Sequence, residues 1–278
     1  MQLSLNGVIL GQRLDFEGYL IVASEAGFAG ADFSIEGAMA VADDRGIEVV
    51  KALFDEYEVQ PAVWGIPVNW RGSEQEFEAT LADFPRFAGF AAEIGCPRAC
   101  TWLPPTVDTE AREFYQMAVA RWRKVGQVAE EYGVRLGLEW VGTPTLRESG
   151  NEFIYRMDQV LEMEAEIGVD SLGLLVDSFH WYTAGHSAEE LAALPVEKIV
   201  HVHINDAPDK PVEQQIDNQR LLPGEGIIDL PGFLGALKAT GYTDFMGVET
   251  FNEELKALPV AEAAARARAA GEEVLAQL

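Results

Sequence analysis

LGLLVDSFHWYTAGHSAEELAALPVEKIVHVHIND, residues 172–206, decides the fold. It contains two short apolar runs, 172–181 and 198–206, with a helical stretch at 187–194 between them. Continuous apolar runs suit strands buried on both faces, and a helix between two such strands is the crossover that a parallel pair requires. The unit repeats outward in both directions. Strands are expected at 3–10, 30–35, 59–68, 98–104, 134–142 and 244–251 as well. Helices are expected at 15–27, 40–57, 75–94, 109–132, 151–167, 230–240 and from Pro259 to the end. The clearest is 109–132, where Phe114, Met117, Ala118, Trp122, Val125 and Val128 recur at helical spacing. Eight strand–helix units predict an α/β fold closed as a (β/α)8 barrel, a TIM barrel, in one domain over residues 1–278. No glycine-rich phosphate loop follows the first strand, which argues against an open nucleotide-binding sheet.

Composition excludes several functions. The formal charge is −26, from 46 acidic and 20 basic residues. Such a surface repels nucleic-acid backbones and anionic membranes, so neither is expected as a partner. No run approaches the roughly 18 apolar residues of a membrane span, and the amino terminus lacks a basic leader, so a cytoplasmic protein is expected. Cys96 and Cys100 make no disulfide framework, and without neighbouring histidines they read as packing residues. Composition leaves open whether the chain forms a homo-oligomer.

Four polar residues end four successive apolar runs. They are Glu139 in GLEWVG (137–142), Asp177 in LLVDSFHW (174–181), His203 in IVHVHIND (199–206) and Glu249 in FMGVETF (245–251). Strand side chains alternate between faces, so each of the four can point into the mouth of the barrel, where such barrels place their chemistry. A single strand-end acid often does no more than cap the next helix. Four on consecutive strands point to a shared task. Three carboxylates in one mouth repel each other, and a cation relieves that. The four runs hold no lysine except Lys198 at an edge, so the expected cation is a metal ion and not a side chain. Three carboxylates and one imidazole suit one divalent ion, Mn²⁺, Mg²⁺ or Co²⁺, with Zn²⁺ also admitted.

The remaining candidates surround that site. The chain has four histidines, none before residue 180. His180 stands three residues past Asp177 and is placed to reach a ligand. His201 reads as a deeper, hydrogen-bonded core residue, and His186 as solvent-facing. The first half is expected to supply walls and no acids. Asn6, Trp64, Trp102 and Trp140 fall near strand ends there or just beyond, and rings beside polar groups suit a polyol. DNQRLLPGEGIIDL (217–230) reads as a tight loop over the mouth, punctuated by Pro223, Gly224 and Gly226, with Arg220 placed to meet a substrate oxygen.

In LEWVGTP, LVDSFHWYTAG, HVHINDAPD and RLLPGEGIIDL, this chain resembles the xylose-isomerase-like barrels of sugar isomerases and epimerases, and among them the inosose isomerases. The resemblance is specific from residue 136 to 251 and weak before 130. It implies metal ligation by Glu139, Asp177, His203 and Glu249, substrate contacts by His180 and Arg220, and proton transfer by the two glutamates. Asn6 and Trp102 join as substrate-wall candidates from the strand-end reading. Aldose isomerases of the xylose type open a sugar ring with a first-half histidine. This chain has none, which favours a substrate with an open carbonyl, an inosose or a ketose. A divalent cation on a carbonyl and its neighbouring hydroxyl acidifies the C–H between them, and a carboxylate takes that proton to leave an enediolate. A lyase of the same superfamily, like an inosose dehydratase, would use the same step. A barrel nuclease for abasic DNA would need more histidines and a basic groove.

Overall fold

The computed structural model describes residues 1–278. Ten strands occur: β1 Gln2–Asn6, β2 Gly30–Phe33, β3 Gln60–Gly65, β4 Arg98–Trp102, β5 Thr106–Val107, β6 Arg135–Glu139, β7 Asn151–Glu152, β8 Leu172–Asp177, β9 Ile199–Ile204 and β10 Phe245–Val248. Eight close into a parallel barrel in the order β1-β10-β9-β8-β6-β4-β3-β2, while β5 and β7 form a small antiparallel pair. Around the barrel run α1 Phe16–Glu25, α2 Ile35–Arg45, α3 Ile47–Glu56, α4 Glu74–Glu93, α5 Ala111–Glu131 and α6 Met157–Ile167. They continue as α7 Ser178–Thr183, α8 Ala188–Ala192, α9 Leu230–Thr240, α10 Glu253–Lys256 and α11 Val260–Leu275. The (β/α)8 barrel expected from the sequence is therefore the fold. No helix is long and apolar enough to cross a membrane.

Element ends depart from the sequence reading for local reasons. The first strand stops at Asn6, whose side chain accepts from Val8 N and starts a short 3₁₀ turn. The helix expected at 40–57 is two helices, broken at Gly46, whose φ of 90° a side chain would resist. The strand expected through residue 181 ends at Asp177, which caps α7 by accepting from Phe179 N and His180 N. Residues 151 and 152 are not helical. They pair with 107 and 106, and α6 starts at Met157.

Two apolar layers hold the barrel. Seventy buried residues form the shell between strands and helices, including Trp64, Trp122, Trp140 and Phe233. Inside the barrel, Val63, Cys100, Leu175 and Val200 pack into a small plug. Both cysteines are free and buried, and burial pushes the Cys96 thiol up to about 12. Side chains one pleat further along these strands sit on the plug and face the mouth.

Candidate metal centre

Strand register places the centre. Asp177 of β8 pairs with His203 of β9, and His203 with Gly247 of β10, two residues before Glu249. Glu139 ends β6, on the far side of β8. Glu139, Asp177, His203 and Glu249 each offer one ligand atom, and these atoms lie within 4.8 Å of one another. The structure thus brings together the four residues named from their strand ends. A cavity of about 250 Å³ opens onto three of them, lined also by Asn6, Asp32, Trp64 and Trp102. A larger cavity of about 620 Å³ lies beside it, between residues 7–19 and α2. It holds none of the four donors, so the smaller one is the candidate site.

Asp177 is fully buried, and each of its oxygens is engaged. Oδ1 caps α7, while Oδ2 accepts from Asn205 Nδ2 at 2.8 Å and from Arg220 Nη1 at 3.1 Å. Helix capping and membership of the cluster therefore coexist in one residue. Glu139 Oε1 and His203 Nδ1 are different. Both are buried without a hydrogen-bond partner, and they stand 3.9 Å apart, with Glu249 Oε2 3.4 Å from the same Nδ1. Buried polar atoms rarely go unpartnered, and orphaned ones mark a place for something else. Two orphaned donor atoms aimed at a cluster of carboxylates fit a divalent cation.

The electrostatics agree. Burial, then Glu249 and Asp177, push Glu139 well above the carboxylate range. For Glu249, burial acts upward too, but His203 and Arg220 outweigh it and bring it down to about 2. Burial would lower His203, yet Glu249 and Asp32 outweigh that and hold its imidazolium well above the usual value. The cluster is therefore short of positive charge.

Part of that charge comes from a side chain, which corrects the expectation of a metal alone. Arg220 reaches in from the loop after β9 and is buried. Its Nη1 lies 3.1 Å from both Asp177 Oδ2 and Glu249 Oε2, and its Nη2 lies 2.8 Å from Asp217 Oδ1. Asp206 holds this loop in place. Its carboxylate accepts from the backbone of Ala207, Gly224, Gly226 and Ile228 at 2.8–3.0 Å. Gly226 is needed because a Cβ there would stand 2.1 Å from Ala207 O. His180 is buried behind the arginine. Burial and Arg220 lower it, so the neutral ring accepts from Arg220 Nη2 at 3.0 Å. Neither His180 nor Arg220 lines the cavity.

Three more expectations change. His186 is not solvent-facing: it is buried, its Nε2 accepts from Met157 N, and Nδ1 meets Glu190. Trp140 is core, donating to His180 O, whereas Trp64 lines the cavity and Trp102 is 43% exposed beneath the Arg71 guanidinium. The first half does supply an acid, Asp32 at the end of β2, which lies against His201 and His203. His201 is the deep core residue expected, fully buried with Nε2 3.4 Å from Asp32 Oδ2.

Known proteins place this geometry. The family model described as xylose isomerase-like TIM barrel matches residues 20–274. The chain belongs to that family. It is 36% identical over 140 residues to the inosose isomerase of Bacillus subtilis, covering 50% of this chain and 48% of that one. It is 32% identical over 142 residues to a 3-dehydroshikimate dehydratase of Pseudomonas aeruginosa, covering 49% and 21%. The chain thus spans about half, or less, of the length of these relatives. A solved xylose isomerase domain protein of Alicyclobacillus acidocaldarius superposes with a TM-score of 0.91 at 32% identity, covering 100% and 99%. The IolI protein, solved with a zinc atom bound, superposes at 0.83 and 24% identity, covering 100% and 99%, a likeness of fold.

Proposed function

We propose that this chain is a divalent-metal-dependent isomerase or epimerase acting on a small, unphosphorylated polyol ketone, an inosose or a ketose. The observation that carries the reading is the pair of orphaned donor atoms, Glu139 Oε1 and His203 Nδ1, converging with Asp177 and Glu249. Those four residues would hold the ion, with Mn²⁺, Mg²⁺, Co²⁺ or Zn²⁺ suited to the donor set. When bound, the ion would supply Lewis-acid polarisation of a substrate carbonyl.

The chain's own groups account for the rest. Glu139 ends β6 and Glu249 directly follows β10, strands separated in the barrel by β8 and β9, so they approach the cavity from two directions. One removes the proton beside the substrate carbonyl, leaving an enediolate. The other returns a proton, to the neighbouring carbon in isomerisation or to the opposite face in epimerisation. Arg220 keeps Glu249 ionised and positive charge close to the developing oxyanion. Asn6 and Trp102 form walls that meet hydroxyls and C–H faces. A dehydratase outcome, in which the enediolate expels a β-hydroxyl, is the second reading, favoured by the dehydratase relative.

The test is incubation of the metal-loaded protein with keto-inositols and ketohexoses in D₂O. Deuterium beside the carbonyl in a rearranged product supports the isomerase reading. Loss of water supports the lyase. Absence of exchange across the panel, or full metal content in Asp177→Ala and His203→Ala, refutes the site.

A further inference from the structure

Asp32 comes from β2, separated from β9 by β1 and β10, yet its carboxylate lies against the ring of His203. Oδ1 accepts from Ser4 Oγ at 2.7 Å. Oδ2 has three neighbours: Asn6 Nδ2 at 3.3 Å, His201 Nε2 at 3.4 Å and His203 Nε2 at 3.5 Å. The Asn6 amide carries two protons, and two carboxylate oxygens compete for them, Asp32 Oδ2 and Glu249 Oε1 at 3.4 Å. With both protons so placed, Asn6 has none for His203 Nε2, although that atom is also 3.4 Å away. The imidazole must then carry its own hydrogen on Nε2, facing Asp32. That leaves Nδ1, on the edge that meets Glu139 and Glu249, as the ring nitrogen whose proton a cation would displace.

A missing side chain makes this contact geometrically available. Gly247 on β10 pairs with Ser4 on one side and His203 on the other. A Cβ at 247 would stand 2.1 Å from Asp32 Oδ2 and 3.0 Å from His203 Cδ2. Only glycine leaves the gap through which a β2 carboxylate touches a β9 imidazole.

We propose that Asp32 is a positioning residue that fixes His203 as its Nε2–H tautomer and so reserves Nδ1 for the divalent cation. The inference rests on the metal-centre reading above. A neutral imidazole free of such a partner divides its proton between two nitrogens and swings about its side-chain torsions. A carboxylate on the remote nitrogen removes both freedoms and makes the ligating nitrogen more basic. His201, fully buried, donates to the same Oδ2 and keeps the carboxylate from turning away.

The test compares wild type with Asp32→Ala, Asp32→Asn and Gly247→Ala. Zn²⁺, Co²⁺ and Mg²⁺ affinities are measured by chelator competition, and zinc-loaded protein labelled with ¹⁵N-histidine is studied by NMR. Wild type should show a single ring N–H on His203, at Nε2. Zn²⁺ affinity in Asp32→Ala should fall roughly 10–100-fold, as for other outer partners of ligating histidines. Asp32→Asn, which keeps an acceptor oxygen without the charge, should fall less. Zn²⁺ and Co²⁺ should lose more than Mg²⁺, which depends less on nitrogen ligation, whereas simple loosening of the fold would weaken all three alike. If Asp32→Ala does not fold, the other two variants carry the same comparison. Three results overturn the inference: zinc affinity unchanged within twofold in the Asp32 variants, His203 protonated at Nδ1, or two zinc ions per chain with His203 between them. Zinc that Asp177→Ala loses but Asp32→Ala keeps would refute this inference alone. A wild type that takes up no cation would remove the metal centre and the inference together.

Discussion

Arg220→Met should destabilise the metal-free protein severely and the metal-loaded protein much less. Methionine preserves most of the volume between Phe179 and Phe251, whose rings lie 5.0 and 4.8 Å from the guanidinium. It removes the charge that faces Asp177 and Glu249 at 3.1 Å and Asp217 at 2.8 Å. Asp177 cannot turn to solvent, because its other oxygen caps α7. Deleting one partner of a buried ion pair costs roughly 3–5 kcal/mol, since the other charge stays behind. Asp217 is partly exposed and adds little to that figure. At about 2–4 °C per kcal/mol for a domain near this size, the midpoint should fall by roughly 6–20 °C. A divalent ion beside Glu249 and Asp177 would replace much of the lost charge, so saturating metal should restore most of the difference. The assay is thermal and urea unfolding followed by circular dichroism, with EDTA and then with Mn²⁺ or Mg²⁺. Metal affinity should rise to match the stability that metal restores, because a positive neighbour has gone, and this separates electrostatics from general loosening. A metal-free variant within about 1 kcal/mol of wild type would refute the reasoning, given the buried-pair cost above.

Other outcomes follow from the same centre. Metal uptake near neutral pH should release protons, because Glu139 and the His203 imidazolium are both held above their ordinary values and must give theirs up. Calorimetry in two buffers of different ionisation heat measures that release, and uptake without it would contradict the charge state described. Glu249, brought from 4.5 to about 2 in the folded chain, contributes stability that is complete above 4.5 and is lost as pH falls towards 2. Glu249→Gln should therefore flatten the acid limb of metal-free stability, measured by urea midpoints across that window. Metal-replete Glu139→Gln and Glu249→Gln should each slow substrate C–H exchange by roughly 10²–10⁴-fold, and exchange at the wild-type rate in both would exclude them as proton carriers. Unphosphorylated ketones should show higher kcat/KM than their phosphates, because Asp209, Glu213, Asp217, Glu225 and Asp229 outnumber Lys210 and Arg220 in the 207–229 segment. Turnover of phosphates alone, with inorganic phosphate competing, would reverse that reading.

The sequence exposed what repeats and hid what is single. Glu139, Asp177, His203 and Glu249 were legible because each ends an apolar run on the same parity, and a barrel turns such parity into convergence. Asp32 had the same destination but no such signal. Its strand is four residues long, and the pairing with β3 shifts register between Ala31 and Asp32, which breaks the alternation a reader would count. Ser34 adds to the disguise, since GADFSI reads as one strand although its serine already caps α2. His186 was misplaced for a related reason. In AGHS it looks like a loop residue, but its partner is Met157 N, 29 residues away, and only the folded chain brings them together. Arg220 was legible as a lone cation in acidic sequence, though not as a buried one. Its burial depends on Asp206, whose carboxylate gathers four backbone N–H groups and holds the loop against the strand ends. Gly247 belongs with these, because its role is the space it leaves for Asp32 Oδ2. A strand glycine flanked by Met246 and Val248 carries no such message until the residue opposite is known. Sequence therefore located the four clustered residues, while the groups that orient and neutralise them emerged from contacts between strands distant in the chain.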